Sequence, residues 1–324
     1  MLRRVANHLF WAARYLERAE WRARLVDVNY HLLVESPPGA PQSSAESSWA
    51  PLLAITGDRE AFAERYQTAD ESSVLTFLTF DEKNLSSIRG CINFARENCR
   101  ALRHLISSEL WLEVNTLYLD FQSWTPGILE SGGVYGFFAE LRERFYRIAG
   151  VIHNTTPRDI GYDFLTVGRM LECAENISRL LDVKYHFLLP RLEDVGGAID
   201  LSQWAALLRS ASALEAYRRV YGNAIKVNQV VEILLFDSTF PRAARFCIDN
   251  LEKALHQASA TDSDAGSNFE RTDRALPSDL LATRLREGSA KEVIESGLHD
   301  YMLWIQEECA RIGDAVFAEY LRFE

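Results

Sequence analysis

Charged side chains of the same types recur at matching positions in two stretches of the chain, 155 residues apart. We define the candidate functional band as these residues: Arg14, Glu17, Glu20, Arg24, Asp27, His31, Arg169, Glu172, Glu175, Arg179, Asp182 and His186. On an α-helix, residues spaced by three and four lie on one side, so each stretch predicts a charged strip. Arginines can hold carboxylates through paired hydrogen bonds, and a glutamate can bind an amine or transfer a proton. The band therefore indicates a site for a charged ligand or partner.

Ion pairing within and between the helices is the alternative explanation of the same band. Arg14 and Glu17 are three residues apart, Glu20 and Arg24 are four apart, and Arg24 and Asp27 are three apart. Exposed pairs of this kind contribute about 0.3 to 0.5 kcal/mol each. Between two packed helices, only mutual pairing would offset their loss of hydration. The sequence leaves open whether the band joins two helices or frames one polar pocket.

Two long helices are predicted to carry the band. Apolar residues over 5–33 recur at intervals of three and four, which is typical of a core-facing helix and not of a strand. The stretches 14–33 and 169–188 are identical at twelve of twenty positions, where about one match would arise by chance. We expect each copy to be one long helix, buried on one face, with the second copy ending at Pro190.

Arg18 and Arg22 do not belong to the repeated pattern. They are replaced by Cys173 and Ile177 in the second copy. On a helical wheel they point roughly opposite the band, so we expect them on another face of the helix.

A second repeated segment supplies secondary candidates. Residues 77–95 align with 233–251 at a shift of 156, and each copy has an aspartate in a break ahead of a helix. Such an aspartate can cap the helix or oppose an arginine. The secondary candidates are Asp81, Arg89, Asp237, Arg242 and Arg245.

The repeats predict an all-α fold: an internally duplicated long-helix bundle with a pseudo-twofold relation between its halves. The first helical repeat would span 1–155 and the second 156–324, both within one intimate domain. Further helices are predicted over 86–115, 137–153, 208–237 (with a break at Gly222) and 290–321. A surface loop followed by a short helix is predicted over 35–60, and a long polar loop over 258–279.

Composition narrows the classes of function. With 48% hydrophobic residues over 324 positions, the chain can bury a sizeable core. A net charge of -11 counts against a general nucleic-acid or anionic-membrane surface. We read no signal peptide and no apolar run of spanning length. The five cysteines include no Cys-x-x-Cys pair, so we expect a reduced, cytoplasmic protein.

Several motifs of catalysis are missing from the sequence. It has no phosphate-cradling glycine-rich loop, no Gly-x-Ser-x-Gly elbow and no nucleophilic triad. A carboxylate-bridged metal centre of the ferritin type would need a Glu-x-x-His spacing that neither copy provides. Neighbouring arginines would also repel a cation. We therefore expect no cofactor and no metal.

The chain resembles the bacterial alpha-E domain family. The resemblance lies in RRVANHLFWAARYLERAEWRARLVDV, SSIRGCINFARENCRALRHLISSELWLEVN, FLTVGRMLECAENISRLLDVKY, LRSASALEAYRRVY and LLFDSTFPRA, which together extend over nearly the whole chain. It implies an all-helical protein found beside or fused to a circularly permuted ATP-grasp protein, often with a transglutaminase-like protein nearby. That setting implies a system that makes, modifies or trims a peptide.

The family's characteristic glutamate would correspond to Glu17 or Glu20, and in the second half to Glu172 or Glu175. The chain departs from the family pattern at Cys173, where a basic residue is usual, and at Ala243, where a serine is usual.

Three functional hypotheses follow. The first is an accessory or binding component of an ATP-grasp-linked peptide system, which grips a partner or a peptide through the band. The second is an enzyme acting on amide or amine groups, with Glu17 or Glu20 and Glu172 or Glu175 as acid or base and arginines as clamps. Neighbouring arginines oppose the raised glutamate pKa that this chemistry needs. The third, a metal protein, is the weakest, and the first is our prediction.

Overall fold

A computed structural model describes residues 3–34, 45–187, 197–264 and 276–321. Within these ranges the chain is all-α, without a strand, which confirms the predicted fold class. The helices are α1 (Arg3–Val34), α2 (Ala45–Ile55), α3 (Arg59–Ala63), α4 (Glu71–Thr79), α5 (Ile88–Ala101), α6 (Ser108–Ser123), α7 (Gly127–Gly132), α8 (Val134–Thr155), α9 (Ile160–Phe187), α10 (Ala198–Ser210), α11 (Leu214–Tyr221), α12 (Val227–Val231), α13 (Ala244–Asp264), α14 (Asp279–Glu287), α15 (Ala290–Ser296) and α16 (Leu298–Val316). Two π-helical segments, Glu232–Phe236 and Phe317–Leu321, complete the described elements.

The two helices that carry the band pack against each other at the centre of the bundle. Helix α1 also contacts α5 and α8, and α9 also contacts α13 and α16. The two helices approach closely at Gly168, where an added Cβ would lie 2.3 Å from the backbone oxygen of Phe10. A side chain larger than hydrogen would therefore push α9 away from α1.

Helix α1 is buried on two sides, because it separates two hydrophobic cores. Leu16 and Val26 pack in the core formed by the helices up to α8. Phe10 and Leu25 pack in the core formed mainly by α9 to α16. The expectation of a helix buried on one face only is therefore wrong for the middle of α1, and the charged band lies inside the protein.

One predicted helix is divided into two. In place of a single helix over 86–115, α5 ends at Ala101 and α6 begins at Ser108. The hydroxyl of Ser107 accepts a hydrogen bond from the backbone N–H of Leu110 at 3.1 Å, which caps the new helix. The intervening turn lets α6 pack back against α5.

The predicted helix over 208–237 is also interrupted. Helix α10 ends at Ser210, and Ser212 has a positive φ of 55°. Helix α11 ends at Tyr221, where Gly222 has φ 81° and confirms the predicted break. Positive φ values end helices because they turn the backbone out of the helical path.

The helix predicted over 290–321 has a break near its start. Gly297, with φ 118°, separates α15 from α16, and the chain then continues as a π-helical segment to Leu321. The helix predicted over 137–153 is confirmed as α8 and extends slightly beyond both predicted ends.

Some predicted features lie outside the described residues: part of the loop over 35–60, the end of the second long helix at Pro190, and the centre of the loop over 258–279. In its described first part, the predicted loop over 258–279 is instead the end of α13. No helix in the described part of the chain has the length and apolar character needed to cross a membrane. The duplication and the division at residue 155 stay predictions.

Candidate functional site

Reciprocal ion pairs join α1 to α9. Arg14 Nε donates to Glu172 Oε2 at 2.7 Å, and Arg169 Nε donates to Glu17 Oε2 at 3.3 Å. In each pair the arginine is the first residue of its aligned stretch and the glutamate is the fourth residue of the other stretch. Arg14 also donates to Glu175 at 2.8 Å. Arg14 therefore reaches the facing helix, and not Glu17 on its own helix as the spacing had predicted.

Glu172 is enclosed by two arginines. Besides Arg14, Arg18 donates through Nε to Oε1 at 2.6 Å and through Nη2 to Oε2 at 2.9 Å. Burial raises the pKa of Glu172, but the charges of Arg14 and Arg18 outweigh it and bring the pKa to about 2. The prediction that Arg18 faces away from the band is wrong, since its side chain reaches across to α9.

Arg22, the other residue predicted to point away, is also buried and paired. Its Nη1 donates to Asp58 Oδ2 at 2.5 Å, and its Nη2 donates to the backbone oxygen of Thr56 at 3.4 Å. Arg22 thereby fixes α1 to the turn ahead of α3. Because the middle of α1 is enclosed on several sides, charges off the band also need partners.

Glu17 is held by Arg169 and by Arg242, one of the secondary candidates. Arg242 donates through Nη1 to Glu17 Oε1 and through Nη2 to Glu20 Oε2, each at 2.8 Å. Burial raises the pKa of Glu17, but Arg242 and Arg169 outweigh it and hold the pKa below its ordinary value. Both Glu17 oxygens are occupied by guanidinium groups, which makes this side chain a poor general base.

Arg24 links the buried charges to a tyrosine on α8. It donates to Glu20, which confirms the predicted pairing at four residues' spacing, and its Nη2 donates to the Tyr146 hydroxyl at 3.0 Å. Burial, followed by the charge of Arg242, lowers the pKa of Arg24. Burial raises the pKa of Tyr146, but Arg24 outweighs it, so the net pKa lies below the ordinary value. The guanidinium groups of Arg24, Arg242 and Arg142 therefore act together on this phenol.

The end of the band on α1 contacts α8. Asp27 accepts a hydrogen bond from Arg142 and lies 3.7 Å from Nε2 of His31. Burial raises the pKa of Asp27, and the charge of Arg142 opposes this only in part. These contacts fasten α1 to α8.

The corresponding end of the band on α9 uses different partners. Arg179 Nη2 donates to Glu175 Oε1 at 2.8 Å within the helix. Asp182 lies 2.5 Å from Nδ1 of His299 on α16. The side chain of His186 lies outside the described part of the structure.

The two secondary candidate aspartates stabilise loops. Asp81 Oδ1 accepts from the backbone N–H of Lys83 at 2.8 Å, and Asp237 Oδ1 accepts from that of Thr239 at 2.7 Å. Asp81 Oδ2 also pairs with Arg65 at 3.2 Å. These contacts fit the loop explanation of the pattern, since the hydroxyl of Ser87, and not Asp81, caps α5.

The two secondary candidate arginines next to them bind backbone oxygens. Arg89 Nη2 donates to the oxygen of Trp124 at 2.6 Å, and Arg245 Nη1 donates to that of Phe236 at 3.3 Å. Of the five secondary candidates, Arg242 is the one that the structure brings to the band.

An open groove of about 1020 Å³ runs between α1, α8, α9 and α13. Its polar lining includes Glu17, Glu20, Tyr146, Arg169 and Arg242, which we call the floor, and also these residues: His153, Arg158, Asp159, Asp163, Asn250 and Lys253. Its apolar walls include these residues: Leu16, Phe145, Ile148, Ile152, Leu165, Met170 and Phe246. A pocket of this size, with a few charged groups among apolar ones, is typical of a ligand site.

Arg169 is the arginine of the groove that is least committed to protein partners. Its side chain is 48% exposed, whereas that of Arg242 is 12% exposed. Among the described residues, its sole polar contact is the one from Nε to Glu17. Its two terminal amino groups are therefore available to bind a carboxylate, which a guanidinium holds with two parallel hydrogen bonds.

Asp163 lies further along α9 and also lines the groove. The residue is 8% exposed, and its carboxylate has no hydrogen bond or ion pair within the described part of the chain. Burial and the nearby Asp159 raise its pKa above the ordinary value. Sequence reasoning missed Asp163 and Tyr146 because neither belongs to the repeated pattern. Asp163 falls opposite His8 at the shift of 155.

The described residues hold no group of three or more His, Cys, Asp or Glu side chains arranged to bind a metal ion. The charged floor of the groove contains carboxylates alternating with guanidinium groups. Its chemistry is that of salt bridges and hydrogen bonds.

Comparison with known proteins agrees with the helical architecture. The chain is 25% identical over 310 residues to uncharacterized proteins of Mycobacterium bovis and Mycobacterium tuberculosis. The match extends over 90% of this chain and 33% of each relative, so the chain spans about a third of the length of these relatives. No solved structure matches.

A family model named Alpha-E matches residues 1–321 and is described as a predicted alpha-helical domain with a conserved ER motif. Glu17 and Arg18 form one of the Glu-Arg dipeptides of this chain, and both side chains pair with α9 across the central interface. Because this match extends over almost the whole chain, the chain belongs to the Alpha-E family.

Proposed function

We propose that this chain is a binding component that holds a carboxylate-bearing peptide in the groove, as an accessory to an ATP-grasp-linked system for peptide synthesis or modification. The peptide carboxylate would pair with Arg169, and the apolar walls would cover neighbouring side chains. A circularly permuted ATP-grasp ligase and a transglutaminase-like protein are the partners that this proposal names.

The half-exposed guanidinium of Arg169 carries the proposal. Behind it, Arg24 and Arg242 add two positive charges, while Glu17 and Glu20 supply two negative ones. The hydrogen-bonded cluster of Arg24, Arg169, Arg242, Glu17 and Glu20 therefore has one guanidinium more than it has carboxylates. A bound carboxylate would balance this charge in a setting partly shielded from water, where charge-assisted hydrogen bonds are strong.

The state of the glutamates favours binding over acid–base chemistry. A general base needs a pKa near the working pH. The arginines around Glu17 and Glu172 lower the pKa of both, to about 2 for Glu172. A carboxylate with so low a pKa takes up a proton poorly, so we expect these glutamates to orient the arginines.

The choice of partners rests on the family resemblance. The uncharacterized mycobacterial relatives are about three times as long as the matching region. A matching region that is one part of a longer chain fits a module that works beside other domains. The groove is open to solvent, which suits a ligand that another protein must reach.

Affinity purification from the native host tests the proposal. Three tagged forms would be compared: wild type, Arg169→Met and Arg147→Met. Arg147 is a matched control because its side chain is 54% exposed, has one long ion pair at 3.7 Å, and lies on α8 outside the groove lining. Co-purified proteins and small peptides would both be identified by mass spectrometry.

We expect an ATP-grasp protein with all three forms, and peptides with wild type and Arg147→Met but not with Arg169→Met. Loss of one carboxylate–guanidinium contact should reduce peptide recovery by at least about tenfold. Equal peptide recovery from all three forms would refute the role of Arg169. Absence of an ATP-grasp protein from every form would refute the accessory role.

A further inference from the structure

We propose that the groove recognises both ends of a short peptide, with the free amino terminus on Asp163 and the free carboxyl terminus on Arg169. This inference rests on the proposed function and adds the class of ligand, a zwitterionic peptide of about three residues. It also assigns Asp163 as a second binding residue.

The need of Asp163 for a partner is the first observation. The carboxylate of a residue that is nine-tenths buried normally has a cation or several hydrogen-bond donors beside it. The side chain of Asp163 has neither among the described residues, although it faces the groove. Asp159, whose Oδ1 accepts from the backbone N–H of Gly161 at 2.9 Å, adds negative charge nearby. A ligand ammonium group would supply the missing partner.

The second observation is the opposite charge preference of two residues that line the groove. Arg169 offers donors for an anion, and Asp163 offers acceptors for a cation. The two residues are six positions apart on α9, which corresponds to about 9 Å along the helix axis. An extended peptide spans about 3.3 to 3.6 Å per residue, so about three residues separate an amino terminus from a carboxyl terminus over this distance.

The apolar walls determine what lies between the two ends. Ile148, Leu165 and Met170 line the same groove. Charged side chains in the middle of the ligand would lose hydration against these apolar side chains. Uncharged, apolar residues would instead bury surface against these walls.

Equilibrium dialysis of the full chain against four tripeptide libraries tests the inference. Each library contains mixed sequences of uncharged residues: one with free termini, one N-acetylated, one C-amidated and one with both caps. Mass spectrometry would give the enrichment of peptides on the protein side. The same measurement would be made on Asp163→Asn and on Asp300→Asn. Asp300 is the matched control because it lies in the first turn of α16, as Asp163 does in α9, and is exposed outside the groove.

With wild type and Asp300→Asn, we expect the free library to be enriched and each single cap to reduce enrichment at least about fivefold. With Asp163→Asn, acetylation should lose its effect while amidation keeps it. Thermal melting of both variants would confirm that they fold.

The outcomes separate the two proposals. If amidation weakens enrichment in wild type but acetylation does not, the inference on Asp163 is refuted and the carboxylate site on Arg169 stands. If acetylation alone weakens enrichment, recognition of both ends is refuted. If no library is enriched, the groove holds no short peptide and both proposals fail. Comparison of libraries on wild type is decisive even if Asp163→Asn does not fold.

Discussion

Replacement of Glu172 by glutamine tests the account of the buried ion pairs quantitatively. The residue is 2% exposed and accepts hydrogen bonds from Arg14 and Arg18. A fall in pKa from the ordinary 4.5 to about 2 corresponds to about 3 kcal/mol of stability at neutral pH, since each pKa unit is worth about 1.4 kcal/mol. Breaking a buried pair by removing one partner typically costs about 3 to 5 kcal/mol. We therefore expect Glu172→Gln to lower the free energy of unfolding by about 3 kcal/mol at pH 7.

The pH dependence of this difference has a definite sign. A carboxyl group whose pKa is lower in the folded state stabilises the fold fully above its unfolded pKa of about 4.5. Its contribution decreases as the pH falls from there towards 2, because the unfolded chain takes up a proton that the folded protein does not yet bind. Near pH 3.5 the difference between wild type and Glu172→Gln should have decreased to about 2 kcal/mol.

Urea unfolding followed by tryptophan fluorescence, at several pH values between about 3.5 and 7, measures the difference. Glu82→Gln is the control, because the side chain of Glu82 is 79% exposed. It should change stability by less than about 0.5 kcal/mol at every pH. A Glu172→Gln effect below about 1 kcal/mol at pH 7, or one that does not change with pH, would refute the reasoning.

Three further predictions concern packing, titration and thiol reactivity. Gly168→Ala should destabilise the fold by at least about 2 kcal/mol, because the new methyl group would strike the backbone of Phe10. The helical control Gly150→Ala, with open space around its Cβ, should stabilise by about 0.5 to 1 kcal/mol in the same unfolding assay. Ultraviolet titration of the wild type should show one phenol that ionises below the ordinary pKa of 10, since Arg24 stabilises the Tyr146 anion. This phenol should be missing in Tyr146→Phe, and identical titration curves for the two proteins would contradict the prediction. All five cysteines are buried, so a thiol reagent should label them only as fast as the protein unfolds locally or globally. Rapid labelling in native buffer would contradict the packing.

Properties of a single helix could be predicted from the sequence, because they depend on spacing alone. The periods of three and four predicted α1 and α9, and the spacing of Glu20 and Arg24 predicted their ion pair. Gly222 also ends a helix where the sequence indicated a break. Each of these features depends on local backbone geometry.

Properties of the interface between helices could not be predicted in the same way. A helical wheel gives the direction of Arg18 from its own axis, but not which neighbour the long side chain can reach. Arg14 pairs with Glu172 because α9 lies against α1 at that height, and this is a property of the tertiary packing. Arg242 was found through its position in the second repeated segment, but its contact with Glu17 required the fold.

The groove itself lay further beyond the reach of sequence reasoning. Tyr146 and Asp163 come from different helices, and each becomes informative only through what surrounds it. Tyr146 is informative because the Arg24 guanidinium contacts its hydroxyl. Asp163 is informative because it is buried and has no partner among the described residues. A repeat search selects residues that the two halves share. The groove depends also on residues such as Asp163, which has no matching residue at the shift of 155.

Photo-crosslinking from inside the groove tests the central claim most directly. A benzophenone amino acid would replace Ala149, which is exposed on α8 and lines the groove. Glu143, exposed on the same helix but outside the lining, is the control position. After irradiation in the native host, we expect a peptide-sized adduct from position 149, none from position 143, and loss of the adduct when Arg169→Met is added. The absence of an adduct at position 149, or an adduct that persists without Arg169, would contradict the account of a carboxylate-binding groove.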